Sequence, residues 1–202
     1  MKNLNQIYND AVTQYGAGSG EMVTVFSDKG TMHSYIDVYE KYFSVKRSNA
    51  SLLEIGMMTG GSMYLWQQYF KKYQLTGMDL SPGWNTERPF QTVLQNDPKI
   101  TLLFGVNSRT SPVPAEVADQ KFDFVIDDGD HSVLAQMDTF QNYWPMVKIN
   151  GVYFIEDVVG PVQAEALKKF LSDYPNLSID HYAGLKNDRA DDQIIIVTKL
   201  ND

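Results

Sequence analysis

Cysteine is absent from the 202-residue chain. Its absence excludes disulfides, thiolate metal ligands and thiol nucleophiles, so any catalysis must use oxygen and nitrogen groups. Basic residues are also few, 17 Lys and Arg against 25 Asp and Glu, which gives a formal net charge of −8. Because no Lys/Arg-rich run supplies the positive charge that nucleic acid phosphates require, we expect no nucleic acid partner. Neutral or cationic small molecules are the favoured partners.

Long hydrophobic runs are missing as well. No stretch approaches the roughly 20 consecutive apolar residues of a membrane-spanning helix, and residues 1–6 have no apolar core like that of a secretory signal. No linker, internal repeat or low-complexity tract divides the chain. We therefore expect a single domain over residues 1–202, located in the cytoplasm, with no membrane partner.

What the chain does contain is a series of short apolar runs. Five of them alternate with stretches long enough for crossover helices, and two more follow without a helix between them. This order predicts an α/β fold, a Rossmann-like and mostly parallel sheet that ends in an antiparallel hairpin and has helices on both faces. The predicted strands are 51–55, 75–78, 100–104, 122–126, 151–155, 177–182 and 193–199.

Helical periodicity occurs before the first strand and between the strands. One helix is predicted from near Leu4 to the loop 16–20, and a second from about Ser34, with an aromatic face (Tyr39, Tyr42 and Phe43) expected in the core. We expect this helical segment, residues 1–48, to cap a site on the Rossmann-like core at 51–200. The other predicted helices are 62–73, 84–95, 133–147 and 163–174.

Ligands of open α/β sheets bind at the carboxyl ends of the parallel strands. The first strand is followed there by a glycine-rich loop, in which glycine lets the backbone approach a ligand and serine can cap the next helix. Its spacing matches neither the dinucleotide pattern nor the phosphate loop, which makes a nicotinamide-dependent dehydrogenase the least expected class. A structural tight turn is the alternative. The candidate cofactor residues of this loop are Glu54, Gly56, Thr59, Gly60 and Ser62.

Polar residues also follow the second and third strands. Asp79 comes about twenty residues after the glycine loop, a spacing at which a carboxylate can accept the hydroxyl protons of a ribose. The alternative for Asp79 is a cap of the next helix. Asn107 and Ser108 suit an adenine edge, although an ordinary turn explains them almost as well.

The fourth and fifth strands end in acidic residues. Like charges packed together require a neutralising cation, and oxygen ligands suit Mg²⁺, Mn²⁺ or Ca²⁺. The alternative is that Asp127 or Asp130 caps the following helix while the others are solvated. The imidazole of His131 is the candidate base for a substrate hydroxyl. The whole cluster is Asp127, Asp128, Asp130, His131, Glu156 and Asp157.

These motifs together resemble a known enzyme family, the class I S-adenosylmethionine-dependent O-methyltransferases. The resemblance is to the metal-dependent sugar methyltransferases of macrolide biosynthesis, of the macrocin and mycinamicin type, and it runs from about Phe26 to Lys199. The motifs that carry it are Asp28-Lys29-Gly30 with His33, Tyr35 and Tyr39, then Leu53-Glu54-Ile55-Gly56 with Gly60-Gly61-Ser62, then Asp79, Asp127-Asp128-Gly129 with His131, and Glu156-Asp157.

The resemblance implies a seven-stranded methyltransferase sheet with two cofactors. S-adenosylmethionine is expected on the glycine loop, on Asp79, Asn107 and Ser108, and at Asp127. Mg²⁺ or another hard divalent cation is expected on Asp128, Glu156 and Asp157, with His131 as general base. The implied reaction transfers a methyl group to a hydroxyl of a metal-chelated vicinal diol, a sugar on a small molecule or glycan, and a homo-oligomer is plausible from the family.

Two other functions stay open. One is a non-catalytic cofactor-binding or structural module, and the other is different chemistry in the same pocket, as in cephalosporin-hydroxylase-like relatives. Asp130 also departs from the family, in which a small hydroxyl residue is expected at its position. In the loop 184–192 we expect Arg189, Asp191 and Asp192 to be solvated, with contact to the substrate as the alternative.

Overall fold

A seven-stranded sheet forms the centre of the protein. The structure, a computed structural model, describes residues 2–16, 26–84, 87–184 and 186–201. The strand order is β3-β2-β1-β4-β5-β7-β6. The strands are β1 (Ala50–Ile55), β2 (Tyr73–Asp79), β3 (Ile100–Phe104), β4 (Phe122–Asp127), β5 (Val147–Ile155), β6 (Leu177–Ala183) and β7 (Gln193–Lys199).

Five strands are parallel and the last two form an antiparallel hairpin. β1 pairs in parallel with β2 on one side and with β4 on the other, whereas β7 is antiparallel to both β5 and β6. This confirms the predicted α/β sheet and its closing hairpin. The strand order reverses between β1 and β4, and this reversal is the position at which open α/β sheets bind their ligands.

The helices are α1 (Leu4–Tyr15), α2 (Ile36–Phe43), α3 (Gly61–Tyr69), α4 (Pro89–Gln95), α5 (Ala115–Ala118), α6 (Val133–Tyr143) and α7 (Gly160–Leu171). None of the helices in the described ranges is long and apolar enough to cross a membrane. The cytoplasmic location stays a prediction. The loop predicted at 16–20 lies outside the described residues beyond Gly16.

Several helix boundaries differ from the predicted ones. α4 begins at Pro89 rather than at residue 84, because proline suits the first turn of a helix and disfavours helical geometry in the residue before it. α6 ends at Tyr143, where a short 3₁₀ turn with Pro145 begins. α7 begins three residues early, at Gly160, with a proline in its first turn. The single turn of α5 was not predicted.

Apolar cores cover both faces of the sheet. On one face the Phe43 ring lies 4.5 Å from Phe124 and 5.0 Å from Trp66, measured between ring centroids. Tyr39 and Phe43 are fully buried, as predicted, whereas Tyr42 is only partly buried and donates its hydroxyl to Asp180. Full burial of one such side chain contributes about 1.5–3 kcal/mol, so α2 is firmly held on the sheet.

A buried carboxylate joins the chain ahead of β1 to the loop before β7. Asp192 is fully buried and accepts hydrogen bonds from the Ser34 amide (2.8 Å), the Ser34 hydroxyl (2.6 Å) and the Lys186 amide (2.9 Å). These donors outweigh burial and lower its pKa. The expectation that Asp192 is solvated was therefore wrong. Its bonds hold residues 26–43 over the carboxyl ends of the strands.

Candidate active site

A cavity of about 520 Å³ opens at the carboxyl ends of the central strands. Its size is within the range of small-molecule sites. Most of the residues predicted for the site lie on its wall, whereas Glu54, Gly60, Asp127 and Glu156 are not among the residues of the described chain that line it. Those on the wall are Gly56, Thr59, Ser62, Asp79, Asn107, Ser108, Asp128, His131 and Asp157.

The glycines after β1 bring separate backbone segments into contact. A Cβ atom on Gly56, which has φ of +83°, would lie 1.9 Å from the carbonyl oxygen of Asp128. A Cβ atom on Gly61 would lie 1.6 Å from the carbonyl oxygen of Phe26. The loop is therefore a tight structural junction, as the alternative held, and it also lies on the cavity wall.

Asp79 organises the same loop from the end of β2. One carboxylate oxygen accepts the amides of Met57 (3.1 Å) and Met58 (2.8 Å), and the other accepts the amide of Ser81 (2.8 Å). Because α4 begins only at Pro89, Asp79 does not cap it. Oδ2 uses both of its lone pairs for the amides of Met57 and Met58, whereas Oδ1 accepts only one amide and keeps a lone pair for a further donor such as a sugar hydroxyl.

The third strand ends in a locally bonded turn. The Asn107 side-chain oxygen accepts the amides of Arg109 (3.0 Å) and Thr110 (3.2 Å), and the Ser108 hydroxyl lies 3.0 Å from that of Thr139. Both residues line the cavity, so they are placed for contact with a ligand. Their side-chain bonds are those of the ordinary turn that was the alternative to adenine recognition.

The acidic residues at the ends of β4 and β5 contact a lysine whose position here no spacing in the sequence indicates. The Lys29 ammonium lies 2.7 Å from Asp128 Oδ2, 2.7 and 2.9 Å from the two oxygens of Glu156, and 3.6 Å from Glu54 Oε1. Its side chain is 1% exposed. The hydroxyl of Tyr39 donates to the same Glu156. One of the cations that the cluster requires is therefore part of the chain itself.

One lysine does not balance the acids around it. Burial raises the pKa of Glu54 to about 7 against the opposing charge of Lys29. Burial and the charge of Asp128 raise the pKa of Asp157 to about 7. Burial by itself lowers the pKa of Lys29, but the surrounding carboxylates outweigh it and hold that pKa well above its usual range. The site thus has an excess of acid that a further cation would relieve.

Three side chains on the cavity side can hold such a cation. Asp128, His131 and Asp157 each offer one ligand atom, and these atoms lie within 4.8 Å of one another. His131 Nε2 is 3.7 Å from Asp157 Oδ2, and the imidazole is 38% exposed. The amide of Gln163 donates to the His131 carbonyl at 2.7 Å and holds this turn. Two carboxylates and an imidazole with an excess of negative charge fit a hard divalent cation.

Two other acidic residues, Asp127 and Asp130, make contacts within the protein. Asp127 is 1% exposed and lies behind the cavity wall beside Tyr153, where burial raises its pKa well above the usual range. The structure thus does not bring its carboxylate to the cavity, because the side chain of this last residue of β4 points into the other core. Asp130 accepts the amide of Ser132 at 2.9 Å, one residue before α6, and faces Arg109 at 3.7 Å. It forms the turn before α6 but does not cap the helix, whose N-cap residue is Ser132.

Known proteins are similar to this chain in sequence and in fold. Residues 53–158, just over half of the chain, match the family described as methyltransferase domain. The 8-demethyl-8-α-L-rhamnosyl tetracenomycin-C 2′-O-methyltransferase of Streptomyces olivaceus is 28% identical over 141 residues, which are 65% of this chain and 35% of that protein. Demethylmacrocin O-methyltransferase of Streptomyces fradiae is 29% identical over 140 residues, 64% of this chain and 33% of that protein.

The similarity in structure extends over nearly the whole chain. MycE methyltransferase from the mycinamycin biosynthetic pathway, in complex with Mg and SAH, superposes with a TM-score of 0.67 at 22% identity and covers 99% of this chain and 55% of that one. The chain spans about a third of the length of the curated relatives it matches. The fold is that of the class I methyltransferases, as the motifs predicted, and the chain belongs to the methyltransferase domain family.

Proposed function

We propose that the protein is an S-adenosylmethionine-dependent O-methyltransferase that acts on a hydroxyl of a vicinal diol, carried by a sugar on a small molecule or glycan. The observation that carries the proposal is the excess of acid on the wall of a cavity that the glycine loop also lines. The relatives with sugar O-methyltransferase names support the choice of acceptor.

The glycine loop and the ends of β2 and β3 are proposed to bind S-adenosylmethionine. Gly56, Thr59 and Ser62 line the cavity where the methionine and sugar portions would lie, and Asp79 Oδ1 has a lone pair for a ribose hydroxyl. Asn107 and Ser108, which line the same cavity, are proposed to contact the adenine. The complex of the similar MycE with SAH supports this arrangement.

Asp128, Glu156 and Asp157 are proposed to hold Mg²⁺. When bound, the ion supplies positive charge that lowers the pKa of the diol hydroxyls and fixes their direction. Asp128 and Asp157 already face the cavity, whereas both oxygens of Glu156 are occupied by Lys29 and Tyr39. A role for Glu156 as ligand therefore requires a rearrangement of Lys29.

His131 is proposed as the general base. Its imidazole is half-exposed on the cavity wall, and the bond from Gln163 to its carbonyl fixes the turn that carries it. The acceptor hydroxyl gives its proton to the imidazole as its oxygen bonds to the methyl carbon, and the bond from that carbon to sulfur breaks to leave S-adenosylhomocysteine. The chain's part is to align oxygen, carbon and sulfur and to remove one proton.

We propose that residues 1–202 act as a single catalytic unit in which residues 1–48 cap the core at 51–200. The contacts of Lys29, Tyr35 and Tyr39 with the acidic cluster support this division, since each comes from the capping segment.

The test is product analysis by mass. The protein is incubated with S-adenosylmethionine, Mg²⁺ and a panel of sugar and catechol diols, each paired with an analogue that lacks one of the two hydroxyls. We expect one added methyl group per S-adenosylhomocysteine formed, with diols only, and loss of the reaction with a chelator. A hydroxylated product would instead indicate cephalosporin-hydroxylase-like chemistry, and failure to bind the cofactor would indicate a non-catalytic module.

A further inference from the structure

The Lys29 ammonium occupies a position between two proposed metal ligands. It lies 2.7 Å from an oxygen of Asp128 and 2.7 Å from an oxygen of Glu156, which is at most a few tenths of an ångström longer than the ligand distances of Ca²⁺. An ion bound to both carboxylates would need the space that the ammonium fills. The two cations therefore cannot hold this pair of carboxylates in the same way at the same time.

Glu54 offers the ammonium a second partner. Its Oε2 accepts the indole N–H of Trp66 at 3.0 Å, and hydrogen bonding by the Ser62 side chain also lowers the pKa of this carboxyl. Its Oε1 is buried and has no hydrogen-bond partner of good distance and angle among the described residues. Lys29 Nζ lies 3.6 Å from that oxygen, just beyond hydrogen-bond distance. Because a buried carboxylate oxygen without a donor is costly, a small shift of the ammonium toward Glu54 would form a bond that is missing now.

We propose that Lys29 is a displaceable counter-ion: its ammonium holds Asp128 and Glu156 in the metal-free protein and shifts to Glu54 when a divalent cation binds those carboxylates. This inference rests on the metal site of the proposed function. Lys29 is then a positioning residue, because it acts on the reaction through the metal ligands. The exchange keeps the acidic cluster compensated in both states, so the metal-free site stays folded and binding of the ion is reversible.

The proposal makes the effects of two substitutions depend on each other. Mg²⁺ is titrated calorimetrically, without S-adenosylmethionine, into the wild type, Lys29→Met, Glu54→Gln and the double variant, with the exposed Lys121→Met as a matched control. We expect Lys29→Met to tighten Mg²⁺ binding about tenfold, because no ammonium must leave, and Glu54→Gln to weaken it about tenfold. In the Lys29→Met background, Glu54→Gln should have little effect, because the ammonium that needs Glu54 is gone.

Simple charge effects give a different result. If Lys29 stays in place and acts only at a distance, the two substitutions add in the double variant, and the proposal is wrong. A second measurement needs no variant: the ¹⁵N resonance of the Lys29 ammonium, the one buried lysine of the described ranges, should shift with Mg²⁺ and saturate with the calorimetric curve. An unchanged resonance overturns the exchange even if Lys29→Met does not fold. Failure of the wild type to bind Mg²⁺ removes the proposed metal site and this inference together.

Discussion

Lysines and carboxylates lie at both ends of the central strands, but lysines are in excess at one end and carboxylates at the other. At the start of β4, Asp123 is bonded to Ser51 and Lys148 and paired with Lys46, and these donors outweigh burial and lower its pKa to about 2. At the other end, Lys29 alone faces several buried carboxylates, and burial raises the pKa of Glu54 to about 7.

The difference separates a structural ion cluster from a binding site. Two lysines serve one carboxylate at the amino end, so that its charge is fully compensated within the chain. At the carboxyl end, a single lysine, Lys29, pairs with three carboxylates, and the ion pairs of Lys29 do not include Asp157. Buried acids with raised pKa values are typical of functional sites, where a ligand can relieve the excess of charge, and this supports the cavity end as the proposed binding site.

The largest expected effect comes from breaking the junction at the cavity end. Gly56→Ala places a methyl group 1.9 Å from the carbonyl oxygen of Asp128 at a positive φ, so the ends of β1 and β4 must separate. We expect a loss of about 3 kcal/mol or more in the free energy of unfolding, measured by urea denaturation. The matched control is Gly160→Ala, also at positive φ but with no atom within 4 Å, which should cost about 1 kcal/mol. Equal losses would contradict the junction.

Function and stability should separate between the two ends. His131→Ala should lower the rate of methyl transfer about 10²–10⁴-fold, because the proposed role of the imidazole is to accept a proton. Binding of S-adenosylmethionine should stay within a factor of about two. Asp123→Asn should leave the rate unchanged and lower the melting temperature. Single-turnover assays and thermal unfolding measure both variants. Normal turnover by His131→Ala with saturating Mg²⁺ would remove the assigned base.

Asp123 should also set part of the acid sensitivity of folding. A carboxylate whose folded pKa is depressed contributes stability that is fully present above its unfolded value, near 3.9, and is lost as pH falls toward about 2. We expect about 1–2 kcal/mol from this site, reduced by the exposure of its two lysines. Denaturation of the wild type and Asp123→Asn at a series of pH values gives the difference. It should shrink through this window, and a constant difference would show that the charge of Asp123 is not what matters.

The smallest expected effect is at the end of β3. Ser108→Ala removes a hydroxyl that contacts Thr139 and should change the affinity for S-adenosylmethionine less than about threefold, because that hydroxyl is engaged within the protein. Calorimetric titration of the variant checks this. A loss of tenfold or more would instead mean that Ser108 turns from Thr139 to the adenine when the cofactor binds.

Much of the sheet and part of the site could be predicted from local sequence. The apolar runs marked all seven strands to within a few residues. The signal is strongest for inner strands such as β1, β4 and β7, which are mostly buried, whereas the edge strands β3 and β6 are partly exposed. The carboxyl ends of parallel strands share one edge, so Asp79, Asp128 and His131 were expected on one cavity and lie there. Neither inference needs knowledge of contacts distant in sequence.

The contacts of Lys29 could not be predicted in this way. It is separated from Glu156 by 127 positions, and an ion pair at such a distance produces no periodicity and no spacing. The acidic residues at the strand ends indicate that a cation is required, but nothing in the local pattern indicates that a lysine of the chain supplies part of it. Tyr39 is similar: its place in an aromatic stripe correctly predicts burial, yet only the fold shows its hydroxyl at Glu156.

The most direct test of the claim that the acidic cavity is a cofactor site is calorimetric titration of S-adenosylmethionine into metal-stripped protein, repeated with excess Mg²⁺ and with NAD as the control ligand. We expect S-adenosylmethionine to bind, Mg²⁺ to give a separate binding signal, and NAD to give none. If S-adenosylmethionine does not bind under either condition, the glycine loop and Asp79 are only a structural junction, and the claim is contradicted.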